Sequence, residues 1–497
     1  MTPTDTQGFE STEPPLDVST PDAGAASWLT RNGLTPWDAG AVIAAVLLVV
    51  AFVPAAFFES WSPRMSIILA VGPVGLHLLG RLCRRADKAA VVLAFALLWT
   101  VVSAIVSDGP RSALFGYVGR DLSALTIIAS AAFWPLGIVV SDRGRRVLLE
   151  AVVWAAASSA LVGILQALAS LDSGPLALLA GRPTGFATNP VFLGAISATG
   201  LAMSVLLAAR EGATRCLVAT VPLGIAVTMS GSRVAMLGAV LMLAGVAMTS
   251  RTRPATVATA MGAASLFVGV FVDRWVGAGR NAADRLIDAG SGTDGRTEVW
   301  GFGLDAWAER PLIGYGFGRF RPAVQGRFTS TFVRDYAPDD VTQAWFDAHN
   351  VGVGLLVAVG LIGVLLFVAW VVLAARLRHA WVAWALLPLV VHWGLQPVTL
   401  YTLPLAMLLY GVARGSPPDP EPLLRRSRVT DALVAGGLVL GCTLITVDVL
   451  FQQAADDVDT ERLEALSNFF GGDPIVADVV AQAHSVSSSS ATPTADE

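Results

Sequence analysis

Apolar stretches long enough to cross a bilayer recur along almost the whole chain, and nothing else in the sequence limits its fold so strongly. They fall near residues 39–58, 63–80, 89–106, 122–140, 147–168, 188–209, 216–230, 233–249, 255–273, 350–373, 381–396, 397–412 and 430–451. A helix of about 20 residues spans the ~30 Å hydrocarbon layer. Within that layer every backbone N–H and C=O must be satisfied inside the protein, which leaves helices or closed barrels. The stretches are continuously apolar and do not alternate, so they predict helices. The expected fold class is an all-α polytopic membrane protein of about 12–13 transmembrane helices. With 54% hydrophobic and 14% charged residues in 497, and a net charge of only −5, the chain lacks the basic surface that nucleic acid requires.

Loop charge supplies the orientation. Arg81, Arg84, Arg85 and Lys88; Arg143, Arg145 and Arg146; Arg210 and Arg215; Arg251 and Arg253; Arg376 and Arg378; and Arg425, Arg426 and Arg428 all fall on one side of these spans. The positive-inside rule makes that side cytoplasmic. A Thr/Pro/Asp-rich stretch at 1–37 reads as a disordered cytoplasmic tail before a signal-anchor span, and no cleavable signal peptide is visible. Residues 38–412 form the transmembrane domain. Residues 413–428 are a cytoplasmic linker, 429–451 an extra span, and 452–497 an outward-facing acidic and Ser-rich tail, expected to be mobile, in which Leu463, Leu466, Phe469 and Phe470 are placed to dock on the outer surface. The remaining long polar stretch, 274–349, faces outward between the ninth and tenth spans. Inside it Trp300, Leu304 and Trp307 share one helical face, predicting an amphipathic helix along the membrane surface. Pro311 stops that helix, and Gly314-Tyr315-Gly316-Phe317-Gly318 forms a turn. Cys83, Cys216 and Cys442 have neither disulfide nor metal-ligand spacing and read as packing residues.

Ionisable groups avoid the middle of the spans and gather at the outer edge, where their placement points to function. Arg182, in Gly181-Arg182-Pro183-Thr184-Gly185-Phe186, is either an arginine reaching for headgroups or an anion ligand beside the helix start at Asn189-Pro190. Arg233 lies in the tight turn Ser230-Gly231-Ser232-Arg233, which explains Ser and Gly but not a guanidinium. Arg296 and Arg310 flank the predicted amphipathic helix and are either ligands or solvated charges. His349 closes the outer loop beside Asn350. It is either an interfacial anchor or a base able to take a proton from a hydroxyl near neutral pH. No second histidine or carboxylate stands at ligand spacing, so neither a metal site nor a cofactor is expected.

Taken in order, Gly181 through Asn189-Pro190, Ser230-Gly231-Ser232-Arg233, Arg296 through Trp300, Pro311-Leu312-Ile313-Gly314-Tyr315-Gly316, His349-Asn350 and Gly360-Leu361-Ile362-Gly363 resemble the O-antigen ligase/O-antigen polymerase superfamily over roughly residues 40–412. The resemblance implies a GT-C-type fold and metal-independent, inverting glycosyl transfer on the outer face of the cytoplasmic membrane. It implies an undecaprenyl-pyrophosphate-linked glycan as donor and a lipid or glycan as acceptor. By position, Arg182 and Arg233 would hold the pyrophosphate, His349 would be the base, and Arg296 and Asn350 would be further substrate contacts. A ligase and a polymerase joining lipid-linked repeats both fit. Polymerases of this group often place a glycine eleven residues after an outer-loop arginine, whereas Leu193 stands there after Arg182. A secondary transporter would place ionisable residues or broken helices at the midplane of repeated halves, and neither pattern is evident. A non-catalytic scaffold is a further alternative, and whether Arg182, Arg233 and His349 converge on one outward cavity discriminates it from an enzyme.

Overall fold

A computed structural model of the chain describes residues 29, 31–54, 61–116, 122–171, 177–179, 181–250, 252–276, 282, 295–336, 347–416, 428–468 and 474–490. The helices of the first half are α1 Pro36–Val50, α2 Trp61–Arg84, α3 Lys88–Ile105, α4 Pro110–Phe115, α5 Ala124–Ala131, α6 Phe133–Ile138, α7 Asp142–Leu168, α8 Pro190–Glu211, α9 Leu217–Met229 and α10 Arg233–Thr249. The second half adds α11 Arg253–Val276, α12 Arg296–Glu309, α13 Phe320–Val324, α14 Ser330–Tyr336, α15 Val351–Ala374, α16 Ala380–Trp384, α17 Leu387–Leu395, α18 Leu403–Arg414, α19 Arg428–Asp456, α20 Thr460–Ser467 and α21 Pro474–Ser490. Among the described residues no strand forms, and the protein is an all-α polytopic membrane protein.

Each apolar window of the sequence meets a helical segment. Among the described residues seven helices are long and apolar enough to cross a membrane (α2, α3, α7, α8, α11, α15 and α19), and six apolar helical segments are shorter. Two windows expected as single spans are jointed. The 122–140 window breaks at Ala132, because Pro135 has no N–H for the carbonyl four residues earlier and its ring clashes there. The 381–396 window breaks after Trp384, four residues before Pro388, for the same reason. Polar caps start several spans: Thr35 and Asp38 form a capping box on α1, and Ser141, Asn189, Ser232 and Asn350 cap α7, α8, α10 and α15.

The two ends of the bundle differ chemically. At one end ion pairs tie helix ends and their connections together, Asp87 with Arg414, Asp142 with Arg378 and His379, Glu150 with Arg215 and Glu211 with Arg145, while Glu150 also pairs with Arg146 within α7. Arg145, Arg146, Arg215 and Arg378 of these pairs belong to the basic loops. The opposite end carries residues 295–336 and the starts of α8, α10 and α15.

Helix α15 is broken at Gly360, whose φ of 62° and ψ of −173° no other residue adopts readily. The carbonyls and amides freed there are re-satisfied by residues 311–316. Tyr315 and Gly316 donate to Val357 and Ala358 O at 2.8 Å each, and Leu361 donates to Pro311 O at 2.8 Å. Ser103 and Trp99 of α3 seal the same break, donating to Ala358 O at 2.8 Å and Val359 O at 2.9 Å. Non-helical backbone survives at membrane depth only when protein groups satisfy it in this way. A β-carbon at Gly360 would stand 2.4 Å from the backbone of Leu312. Gly360→Ala is therefore expected to destabilise the protein by about 1–3 kcal/mol, read as a lower melting temperature in detergent; an unchanged transition would refute this account of the break.

The extra helix α19 packs along α2, with Ser62 donating to the buried Asp448 at 2.5 Å and Ser66 to Gly441 O at 2.8 Å. The tail after it is helical where composition predicts a mobile segment. Leu463 of α20 and Val476 of α21 close on Phe451 of α19, so Leu463 docks on the last turns of the extra helix. Phe469 and Phe470 lie outside the described residues, whereas the serine run Ser487–Ser490 ends α21.

Candidate functional site

Four of the residues singled out in the sequence come to the same end of the bundle, Arg233, Arg296 and His349 from helix starts and Arg182 from the loop before one. Arg182 precedes the 3-10 turn Gly185–Ala187 and the Asn189 cap of α8, and its Nη1 donates to Ser230 O at 3.4 Å. Arg233 is the first residue of α10, directly after the Ser232 cap. Arg296 opens α12 after Gly295, whose φ is 76°. His349 lies just before the Asn350 cap of α15 and takes a left-handed φ of 48°.

These four residues line one pocket of about 280 Å³, together with Asn189, Phe192, Ser232, Gln396 and Pro397. The starts of α8, α10, α12 and α15 all meet there. Each helix start carries roughly half a positive charge and several N–H groups without a helical partner. Three guanidinium groups beside four helix N-termini make a strongly electropositive cup, suited to a phosphate or pyrophosphate.

His349 is oriented by its own loop. Its Nδ1 lies 3.1 Å from Asp347 Oδ1, and its backbone N–H donates to the same oxygen at 2.5 Å. Trp300 of α12 donates to Ala348 O at 2.8 Å, fixing the peptide on which the strained residue sits. Burial of the ring disfavours its charged form, and the Arg296 charge does so slightly; the Asp347 carboxylate outweighs both, so the imidazole titrates above its ordinary value. With the Nδ1 proton engaged by Asp347, Nε2 is the basic nitrogen.

Other expected residues serve differently. Asn350 lies beside the pocket, but its amide is engaged in structure: Oδ1 accepts from Gly352 and Val353 N at 2.9 and 3.1 Å, and Nδ2 donates to Gly394 O at 3.0 Å. Arg310 holds both oxygens of Asp108 at 2.7 and 2.8 Å and covers the Tyr315 ring, outside the pocket. Helix α12 forms as expected, but its buried face is Val299, Gly303 and Ala306; Leu304 of the expected apolar stripe is 44% exposed. Small residues win that face because they let α12 approach Val353 of α15 and Phe320. Asp347, Phe192 and Gln396 carry no sequence signal that separates them from loop or core residues.

On the other side of the Asp347–Asn350 segment opens an apolar groove of about 230 Å³, lined among others by Leu355, Phe367, Trp370, Leu403 and Met407. It follows most of the length of α15, and Pro397 borders both it and the polar pocket. The polar pocket is therefore cationic, and the groove next to it suits hydrocarbon.

Residues 218–368 match the sequence profile of the family described as O-antigen ligase. That stretch runs from α9 into α15 and contains Arg233, Arg296 and His349. No curated protein matches the chain.

Proposed function

We propose, from the premise that residues 218–368 are those of the O-antigen ligase/polymerase superfamily, that this chain is a glycan ligase of the outer face of the cytoplasmic membrane, moving an undecaprenyl-pyrophosphate-linked oligo- or polysaccharide onto an acceptor hydroxyl. The observation that carries this reading is the convergence of Arg182, Arg233, Arg296 and His349 with four helix starts on one pocket. The apolar groove beside it offers a polyprenyl chain a place along α15. The donor pyrophosphate then lies among the guanidinium groups, with its glycan facing His349.

In this reading His349 Nε2 takes the proton of the acceptor hydroxyl as its oxygen attacks the anomeric carbon. The new C–O bond forms on the face opposite the pyrophosphate, so configuration inverts. The old C–O bond breaks, its electron pair stays on the pyrophosphate, and the guanidinium groups and helix ends stabilise the growing charge. His349 returns the proton to solvent. Confinement of donor and lipid acceptor to one leaflet supplies much of the encounter probability. The positive-inside rule puts the ion-paired end in the cytoplasm and the pocket outside.

The test is reconstitution of the full chain in liposomes with an undecaprenyl-pyrophosphate-linked oligosaccharide and a lipid carrying a free sugar hydroxyl. Transfer with release of undecaprenyl pyrophosphate, persisting in EDTA, is expected; donor consumption only when a second lipid-linked repeat is present would make the protein a polymerase instead. No turnover of the pyrophosphate-linked donor with either acceptor would end the reading.

A further inference from the structure

Arg182 reaches the pocket from a loop with little regular structure, yet the backbone of that loop is gripped by buried side chains from two spans. In α7, Gln166 is 1% exposed. Its Oε1 accepts from Thr184 N at 3.0 Å and Gly185 N at 2.8 Å, and its Nε2 donates to Thr184 Oγ1 at 3.1 Å. Ser159, two turns earlier on α7, accepts from Phe186 N at 3.2 Å. The grip also needs glycine: Gly185 has φ of 55°, and a β-carbon there would stand 2.6 Å from Ser159 O.

From the opposite side comes Arg64 of α2, a fully buried arginine. Its Nη2 donates to Phe186 O at 3.0 Å. The same guanidinium holds two carbonyls at the end of α1, Leu48 O at 2.8 Å and Val49 O at 2.9 Å, and lies 4.4 Å over the Tyr401 ring. Tyr401 in turn stacks at 4.7 Å on Phe192, a wall of the polar pocket, and its hydroxyl is 3.4 Å from Thr188. Neither Gln166 nor Arg64 lines the pocket itself.

A glutamine and an arginine buried in a membrane protein are costly unless their polar atoms are satisfied. Here Gln166 spends its polar atoms on the backbone and hydroxyl of residues 184–185, and Arg64 joins Phe186 O and the Tyr401 ring to the carbonyl end of α1. We propose that Gln166 and Arg64 are positioning residues that fix the Arg182 loop and the Tyr401–Phe192 wall before the donor arrives, so that the pyrophosphate meets a guanidinium already in place. The inference rests on the pyrophosphate reading of the pocket. Its physical content is pre-organisation: a cation held in advance stabilises charge without a reorganisation cost at the moment of binding or reaction.

A double-mutant cycle tests it, using the full chain purified in detergent and titrated with undecaprenyl pyrophosphate. Gln166→Leu leaves two buried N–H groups of the loop unpaired and is expected to weaken binding about tenfold. In the Arg182→Ala background the same change is expected to weaken it less than twofold, because the loop no longer presents a ligand. An undiminished tenfold loss in that background would overturn the proposal, since Gln166 would then act on the fold at large. Should Gln166→Leu fail to fold, Ser159→Ala runs the same cycle with a smaller loss. Failure of the unsubstituted protein to bind undecaprenyl pyrophosphate would overturn the donor reading, and this inference with it. Binding that Arg182→Ala weakens and Gln166→Leu does not would overturn the inference alone.

Discussion

Replacing His349 with alanine is expected to lower glycan transfer by about 10²–10⁴-fold, the usual range for a lost general base, while leaving the protein folded and inserted. The imidazole is half-buried in the pocket lining, and the adjoining peptide is fixed by the Trp300 indole. The pH profile gives a second readout. A base must be neutral, so activity should rise with pH through an apparent pKa above the ordinary imidazole value, because Asp347 holds the ring's proton against burial. Asp347→Asn removes that carboxylate, and the acid limb should move to lower pH. It should also lower the plateau, since the tautomer is no longer fixed. Unchanged turnover in His349→Ala would exclude the histidine from proton transfer. An acid limb that does not move in Asp347→Asn would show that the limb belongs to another group.

The fold was legible where the bilayer dictates it and obscure where tertiary contacts do. Span positions follow from apolar length alone, and each window has its helical segment. The break in α15 is different. A hydropathy reading sees one uninterrupted apolar stretch at 350–373, because the groups that permit the break lie far away, at 311–316 and on α3. The motif residues around Gly314 and Gly360 were visible, but that they bind each other was not. The same contrast holds at the site. Arg182, Arg233 and His349 stand out as ionisable groups gathered at the outer edge of apolar stretches, and Arg296 because it flanks the amphipathic helix of the outer loop. Gln166 hides inside such a stretch, outweighed by its neighbours, and Arg64 lies at a span start that resembles an ordinary interfacial position. The helix α12 was found with its buried face misplaced by one residue: bulk marks an apolar stripe in sequence, whereas close helix approach selects Gly303 and Ala306.

Arg233 carries the second large prediction. As the first residue of α10 it adds a guanidinium to a helix start whose Ser232 hydroxyl already accepts from Ala235 N at 3.3 Å, so charge and helix dipole act on the same point. Arg233→Ala should lower kcat/KM for the lipid-linked donor by about 10²–10³-fold, the scale of a lost donor to a developing oxyanion. Arg233→Lys is the sharper experiment. It keeps the charge but loses the planar fork that grips two phosphate oxygens at once. If the arginine is a ligand to the leaving pyrophosphate, lysine should recover only part of the loss and remain at least about tenfold below the unsubstituted protein, chiefly in kcat because charge grows as the C–O bond breaks. Equal turnover of Arg233→Lys and the unsubstituted chain would reduce Arg233 to a point charge that attracts the donor without holding it. Full activity in Arg233→Ala would remove it from the site altogether, and the burden of stabilising the leaving group would fall on Arg182 and Arg296.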